Sequence, residues 1–348
     1  MRNARAAHPT RRGILAAGGA IGLGAALAAC GDDDAKSGGS GDGAGTGKSG
    51  PWSFKDDRGT TVKLDSVPKN IVAFTGVAAA LWDYGVQVKG VFGPTTTKDG
   101  KPDVQAGDLD VAKVTVLGNE WGKLNVEKYA SLAPEVLITT TFDTAGTLWS
   151  VPEESKDKVA KLAPSVAVSV FDRQLTQPLQ RMWELAESLG ADMKAKKVTD
   201  AKAAFEKAAA RLRAAAKAKP EIRVLAGSAS ADLFYVSGTN LSVDLEYFKA
   251  LGVNFVEPSE DAKKATGGWF ESLSWENVDK YPADIIIMDD RASTIQPADI
   301  TEGTWKQLPA VKAGQVIARS PEPILSYDKC TPLLDNLAEA IENAKKVG

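Results

Sequence analysis

Few residues in this chain are of types and spacings that do covalent chemistry. Ser155 precedes Lys158 and Ser326 precedes Lys329, the interval at which a lysine amine activates a serine for acyl transfer. Neither pair is followed by the Ser-Asp-Asn and Lys-Thr-Gly elements that complete such sites, and both lie in polar or proline-flanked segments. The one histidine is His8, so beyond the first turns of chain there is no imidazole. That excludes a Ser-His-Asp triad, histidine-bound zinc or manganese and histidine-ligated haem. Gly-x-Ser-x-Gly and His-Glu-x-x-His are absent, and no motif marks a glycosidase carboxylate pair. Cys330 has no base to activate it and is expected to pack as a small apolar residue. These residues argue against an enzyme, with no resident metal or cofactor expected.

The elements that must position any binding group follow from the apolar pattern. Short runs at 71–74, 86–92, 136–140 and 166–171 alternate with helical stretches such as 179–189. After Pro220 the pattern restarts, with runs at 223–226, 253–256, 285–288 and 315–318 and a terminal helix over 332–346. Strands alternating with helices predict α/β units around mostly parallel sheets. Between the two sets, 192–219 is rich in Ala, Lys, Glu and Arg, lacks Gly and Pro from 193 to 219, and spaces Val198, Phe205 and Leu212 regularly. It reads as one long helix ended by Pro220. An internal repeat relates the halves: 124–138 (LNVEKYASLAPEVLI) aligns without gaps to 273–287 (LSWENVDKYPADIII). Each copy reads as a cap, a short helix, a proline turn with an acid and a buried strand, with Asn125 and Ser274 as the N-caps.

The amino terminus carries a different message. Arg2, Arg5, Arg11 and Arg12 precede a thin apolar run that ends in Leu27-Ala28-Ala29-Cys30, with no acid before Asp32. This is the layout of a secretory signal peptide. The twin arginine resembles a Tat export signal, and Leu-Ala-Ala-Cys resembles the lipobox of bacterial lipoproteins. On that reading residues 1–29 are removed, Cys30 is lipidated, and the protein works on the extracytoplasmic face of the membrane. Residues 13–29 are too few and too glycine-rich to span ~30 Å of hydrocarbon. Residues 30–50 form the lipidated cysteine and a Gly/Ser/Asp tether, reaching on the order of 25 Å. The stretch at 43–49 grazes a phosphate-binding loop, but Asp42 stands where its first glycine belongs and no strand precedes it. Losing the leader leaves 38 basic against 45 acidic residues, a net charge of −7, with no basic stripe for nucleic acid. With only Cys330 left free, no internal disulfide forms.

Taken together, these segments resemble the class III periplasmic binding proteins, the solute-binding lipoproteins of iron–siderophore, haem and cobalamin ABC importers. The resemblance is carried by 57–62 (DRGTTV) with 67–72 (VPKNIV), the twofold helix–Pro–acid–strand element, 162–166 (LAPSV), 305–316 (WKQLPAVKAGQV) and the terminal helix. It implies two Rossmann-like α/β lobes, 51–190 and 220–348, joined by a single connector helix over 191–219, with ligand in the cleft between them. It implies a monomer that captures an iron chelate and delivers it to a permease and its ATPase. It also implies that one glutamate on each lobe docks with permease arginines, and Glu127 and Glu276 hold the matching positions. A glutamate there also suits the exposed N–H groups of a helix start.

A bulky ferric chelate needs aromatic walls and a few polar groups on loops past the carboxyl ends of strands. That rule selects Thr75 and Trp82 after the first run, Thr141, Phe142 and Trp149 after 136–140, and Arg173 after 166–171. In the second lobe it selects Phe234, Tyr235, Trp269, Phe270, Arg291 and Tyr327. Arg173 and Arg291 stand out, because an arginine just past an apolar strand is seldom buried without an anionic partner. Trp183, Trp275 and Trp305 are expected to pack. A ferric siderophore leads as ligand. Haem ligated by Tyr235 or Tyr327, cobalamin, and a surface lipoprotein with no transport role are the alternatives.

Overall fold

The computed structural model describes residues 50–348; the leader, Cys30, the tether and the piece at 43–49 lie outside the described residues. Strands β1 (Trp52–Lys55) and β2 (Thr61–Leu64) form an antiparallel hairpin ahead of the first lobe. Asp56 and Asp57 in its turn accept the N–H groups of Ala167 and Ser169, so the hairpin clasps the edge of the first sheet. That sheet holds β3 (Ile71–Phe74), β4 (Gly90–Phe92), β5 (Thr115–Val116), β6 (Val136–Thr141) and β7 (Ser165–Ser169) in the order β5-β4-β3-β6-β7, all parallel. Every residue of β3 and β6 is buried, as expected of central parallel strands covered on both faces.

The second sheet contains β8 (Arg223–Ala229), β9 (Leu233–Ser237), β10 (Asn254–Phe255), β11 (Phe270–Ser274), β12 (Ile285–Asp289) and β13 (Val316–Arg319). Its order is β11-β9-β8-β12-β13, and β10 pairs with the first residues of β8. β12 is parallel to β8 and β13, whereas β9 is antiparallel to both β8 and β11. The β1–β2 hairpin and the β9–β11 excursion are absent from the sequence reading. Their residues alternate buried and exposed over only four or five positions, too short a pattern to stand out.

Among the described residues ten α-helices accompany the sheets: α1 (Thr75–Asp83), α2 (Val126–Ser131), α3 (Lys156–Leu162), α4 (Thr176–Ser188), α5 (Lys196–Ala218), α6 (Val243–Ala250), α7 (Glu260–Lys263), α8 (Gly303–Gln307), α9 (Pro309–Lys312) and α10 (Tyr327–Asn343). α5 links the two sheets along the chain and buries Val198, Phe205 and Leu212 on one stripe. It packs along α10, where Arg211 bonds Asp335 and Glu342. α10 starts earlier than the sequence indicated, with Pro332 inside it. The start is set by Ser326, whose Oγ accepts the Lys329 N–H and donates to Asp83 at 2.6 Å. One apolar core runs from the first sheet through α4, α5 and α10 to one face of the second; a separate core covers that sheet's other face.

The repeat has a structural counterpart. Its first copy forms α2 and β6, capped by Asn125, whose side chain accepts the Lys128 N–H. Its second copy forms a 3-10 turn over Trp275–Lys280 and then β12; Ser274 precedes that turn without a side-chain capping bond. The repeated acids act alike. Glu135 accepts the N–H groups of Lys69 and Asn70 just ahead of β3, and Asp284 accepts that of Arg223 at the start of β8. Asp284 also takes the N–H groups of Val347 and Gly348 and the Lys346 ammonium. Burial opposes its charge, but these partners outweigh burial and hold its carboxyl down at about 2. A carboxylate depressed in this way stabilises the fold above its unfolded value and loses that contribution as pH falls through the folded one. Stability is therefore expected to fall from about pH 4 toward pH 2. Asp284→Ala should cost about 2–3 kcal/mol at neutral pH and flatten that acid limb, as read by urea denaturation at several pH values.

Candidate functional site

A cleft of about 500 Å³ lies between the sheets at the carboxyl ends of the strands. The first lobe contributes the loop after β6, with Phe142, Asp143, Thr147 and Trp149. This loop folds back onto its own strand: the Trp149 N–H donates to the Thr140 carbonyl and the Thr139 hydroxyl to the Trp149 carbonyl, both at 2.9 Å. Asp143 accepts the Thr147 N–H and closes the turn. Phe142 and Trp149 lie with ring centroids 4.5 Å apart. Facing them, Trp269 approaches Phe142 at 6.4 Å and Phe171 at 6.3 Å, so aromatic rings from both lobes meet at one side of the cleft. Gly227 in β8 lies on the second-lobe wall, where a Cβ would stand 2.5 Å from the Phe234 ring beneath.

The cleft's arginines are already paired. Arg291, past the end of β12, bonds both oxygens of Asp289 and donates Nη1 to Glu322 at 2.5 Å. The other oxygen of Glu322 accepts the Trp149 indole N–H at 3.1 Å and the Trp121 N–H at 3.4 Å. Its backbone carbonyl takes the Gln105 amide at 2.9 Å. A single carboxylate therefore ties second-lobe Arg291 to two first-lobe indoles. Burial raises the Glu322 carboxyl above its usual value, and Arg291 and the indoles only partly offset this. Burial also opposes the charge of Arg291, but Asp289 and Glu322 outweigh it and raise its pKa. Arg319, at the end of β13, is buried and held by both oxygens of Asp244 at 2.7 and 2.9 Å.

Of the residues selected from sequence, Phe142, Trp149, Trp269, Phe270 and Arg291 line the cleft. The others are placed elsewhere. Thr75 is buried in α1 with its hydroxyl on the Phe92 carbonyl. Trp82, on the same helix, packs against the first-lobe core beneath Lys113. Thr141 turns its hydroxyl toward Asp143. Phe234 belongs to the second core, between Trp275 and Trp305. Tyr235 sits behind the wall, its ring on Phe270 and its hydroxyl 3.2 Å from Ser230. Tyr327 is packed against Trp183 and Phe205 at the waist. Arg173 lies in a separate open groove with Asp172, Gln174, Gln177 and Glu246. Both tyrosines proposed as haem ligands are thus engaged away from the cleft. The anionic partner foreseen for Arg291 is the protein's own.

Glu322, Asp289, Arg319 and Trp121 were missed. Arg319 satisfies the same strand-end rule as Arg291 and was legible. Glu322 stands three residues past the end of β13, between Pro321 and Pro323, so the strand-end rule reaches its loop but nothing in its type marks it out from other acids. Glu127 and Glu276 are both exposed in first helical turns. Among the described residues, Asp83, Asp108 and Asp328 bring carboxylate oxygens within 4.8 Å, but the Lys329 ammonium bonds two of them and supplies the countercharge. The second Ser/Lys pair is therefore structural, with Ser326 as a buried cap and Lys329 in an ionic cluster. Cys330 is buried, its thiol on the Ile324 carbonyl and its pKa pushed up by burial.

Two α/β lobes joined through one long helix, with an aromatic cleft at the strand ends, define a solute-binding protein. The chain belongs to the periplasmic binding protein family, whose model matches residues 72–323. It is 97% identical to the crystal structure of DesE, a ferric-siderophore receptor protein from Streptomyces coelicolor, with a TM-score of 0.85 over 85% of this chain and 100% of that one. It is 25% identical over 307 residues to the iron(3+)-hydroxamate-binding protein FhuD of Bacillus subtilis, covering 85% of this chain and 87% of that protein. Staphylococcus aureus SirA complexed with staphyloferrin B shares the fold, at TM-score 0.58 and 21% identity over 84% of this chain and 99% of that one.

The raised carboxyl of Glu322 yields a test. As pH falls it takes a proton before an ordinary glutamate does, and Trp121 and Trp149 lose a charged acceptor. Between the ordinary value and the raised one the folded chain holds the extra proton, so this group opposes folding as pH rises through that window. Tryptophan emission should titrate with a midpoint above about 4.3, and Glu322→Gln should remove that step.

Proposed function

We propose that this chain is the extracytoplasmic substrate-binding component of an ABC importer, holding a ferric siderophore in the cleft and passing it to a membrane permease. The observation that carries the proposal is the cleft itself: about 500 Å³, with aromatic walls from both lobes and its arginines already paired. That size suits a ligand larger than a bare ion. Membership of the binding-protein family and the names of DesE and FhuD support it.

The charges narrow the chelate. Asp143, Asp289 and Glu322 face Arg291 and Arg319, and Asp244 already neutralises Arg319. A cleft with more carboxylates than free guanidiniums favours a neutral or cationic ligand over a polyanionic one. Ferric tris-hydroxamates are neutral at the metal centre, whereas ferric tris-catecholates are trianionic. Ferric hydroxamates therefore lead, and aromatic contact supplies most of the affinity. Glu127 and Glu276 serve as the permease-docking pair. Cys30 carries the lipid that keeps the protein near its transporter and raises its effective concentration. Among the described residues, no helix is long and apolar enough to cross a membrane.

Fluorescence titration, confirmed by calorimetry, tests the reading against ferrioxamine, ferrichrome, ferric citrate, ferric enterobactin, haem and cyanocobalamin. Saturable binding of a ferric hydroxamate at or below about 1 μM, some −8 kcal/mol, is expected, with ferric enterobactin far weaker. Failure to bind any ferric chelate overturns the siderophore reading. Trp269→Ala should weaken binding about tenfold or more. Reversing charge at both Glu127 and Glu276 should abolish uptake and leave affinity unchanged; normal uptake would remove their docking role.

A further inference from the structure

We infer that Lys263 is a positioning residue of the cleft, holding the Trp269 loop and the loop over 239–242 where they line it. The inference rests on the cleft being the ligand site. Lys263 ends α7, and its side chain is fully buried. Nζ bonds Glu260 Oε1 at 2.8 Å and Asn240 Oδ1 at 3.3 Å. Glu260 reaches in from the surface, with its own side chain 76% exposed. An ammonium taken out of water with one exposed carboxylate is a costly way to fill space, and an apolar side chain of that length would avoid the desolvation. What it adds is N–H donors aimed in several directions from one point.

Those donors and the rest of the residue reach both loops. The stem lies against Gly238, where an added Cβ would stand 2.8 Å from Lys263 Cδ and 2.9 Å from Nζ. The Gly238 N–H donates to the Trp269 carbonyl at 2.8 Å, so the backbone that Lys263 presses on is the one that holds Trp269. The Lys263 carbonyl accepts the Gly268 N–H at 3.1 Å. Gly267 and Gly268, both at positive φ, turn the chain back so that Trp269 faces Phe142 and Phe171 of the first lobe. On the other side, Asn240 leads directly into Leu241 and Ser242, which border the cleft and its apolar side pocket. One buried side chain thus fixes the spacing between two wall segments.

The test labels the protein with 5-fluorotryptophan and assigns the Trp269 fluorine resonance by its loss in Trp269→Phe. Lys263→Met should shift or broaden that resonance and leave those of Trp52, Trp82 and Trp183 in place, and Lys263→Arg should restore it in part. Glu260→Gln, a surface change that leaves the ammonium uncompensated, should move the same resonance and keeps the test decisive should Lys263→Met fail to fold. With a bound ferric hydroxamate, Lys263→Met should weaken affinity at least about fivefold, and by less than about twofold in a Trp269→Ala background. A Trp269 resonance unmoved in every folded variant, or losses that simply add, overturns the inference. The fluorine spectra need no ligand, so failure of the unsubstituted protein to bind any chelate counts against the function and leaves this result standing.

Discussion

The structure depends on a hydrophobic core that does not stop at the lobe boundary. Apolar side chains run without a break from β3 and β6 through α4, α5 and α10 to Val224, Ala226, Ile285 and Ile287 on one face of the second sheet. Separating the lobes means exposing part of that layer, at roughly 25 cal/mol for each Å² of apolar surface. α10 adds a second brace: Ser326 bonds Asp83 and Lys329 bonds Asp108, both in the first lobe. The backbone itself is stitched across by the Leu175 N–H on the Val243 carbonyl. With the waist held this way, any opening or closing of the lobes works against a shared core and its cross-lobe bonds. Any shift between open and closed forms comes from the ligand's differential affinity for the two.

A rigid waist also explains why the cleft holds its charges as it does. A carboxylate such as Glu322 would be unstable if the groups around it moved apart, because a desolvated anion with only part of its partners carries a large penalty. Here Trp121 and Trp149 come from one lobe and Arg291 from the other, and the shared core keeps all three in reach. The arginines are thereby spent on the protein's own acids. What is left for a ligand is aromatic surface and hydroxyls, from Phe142, Trp149, Trp269 and Phe270 with Ser228 and Ser237. Under the proposed function, recognition works through ring faces and shape, which suits a chelate whose metal charge is already neutralised.

How much of this was legible in the sequence depended on the length and burial of each signal. β3, β6, β8, β12 and the connector helix were readable because central parallel strands and long Ala-rich helices print unbroken patterns. The short alternating strands β1, β2, β9 and β11 did not. For the cleft, the strand-end rule picked out the loops, and of its selection Phe142, Trp149, Trp269, Phe270 and Arg291 line it. It could not tell which way a residue next to a strand end faces. Phe234 and Tyr235 are neighbours in β9, and one lies in the core while the other backs the wall, since side chains alternate along a strand. Tyr327 lies outside the cleft for a related reason: the helix it opens is docked at the waist. Glu322 was unreadable because its role comes from four partners scattered over some two hundred residues of chain.

The two halves of the repeat also explain why the second sheet is not a copy of the first. In the first lobe the loop after β5 brings Asn125 back to the end of that strand, its N–H on the Leu117 carbonyl, so α2 and Glu127 start at the carboxyl side of a wholly parallel sheet. In the second lobe the segment before the repeat is β11, which is antiparallel to β9, itself antiparallel to β8. Two reversals restore the original direction, so β11 runs with β8 and delivers Ser274 and Glu276 to the carboxyl side as well. The excursion through β9 and β11 thus changes the sheet without changing where the repeat begins. In the proposed docking, both acids lie at the strand ends that also form the cleft, and a permease that reads them faces the mouth from which ligand must leave.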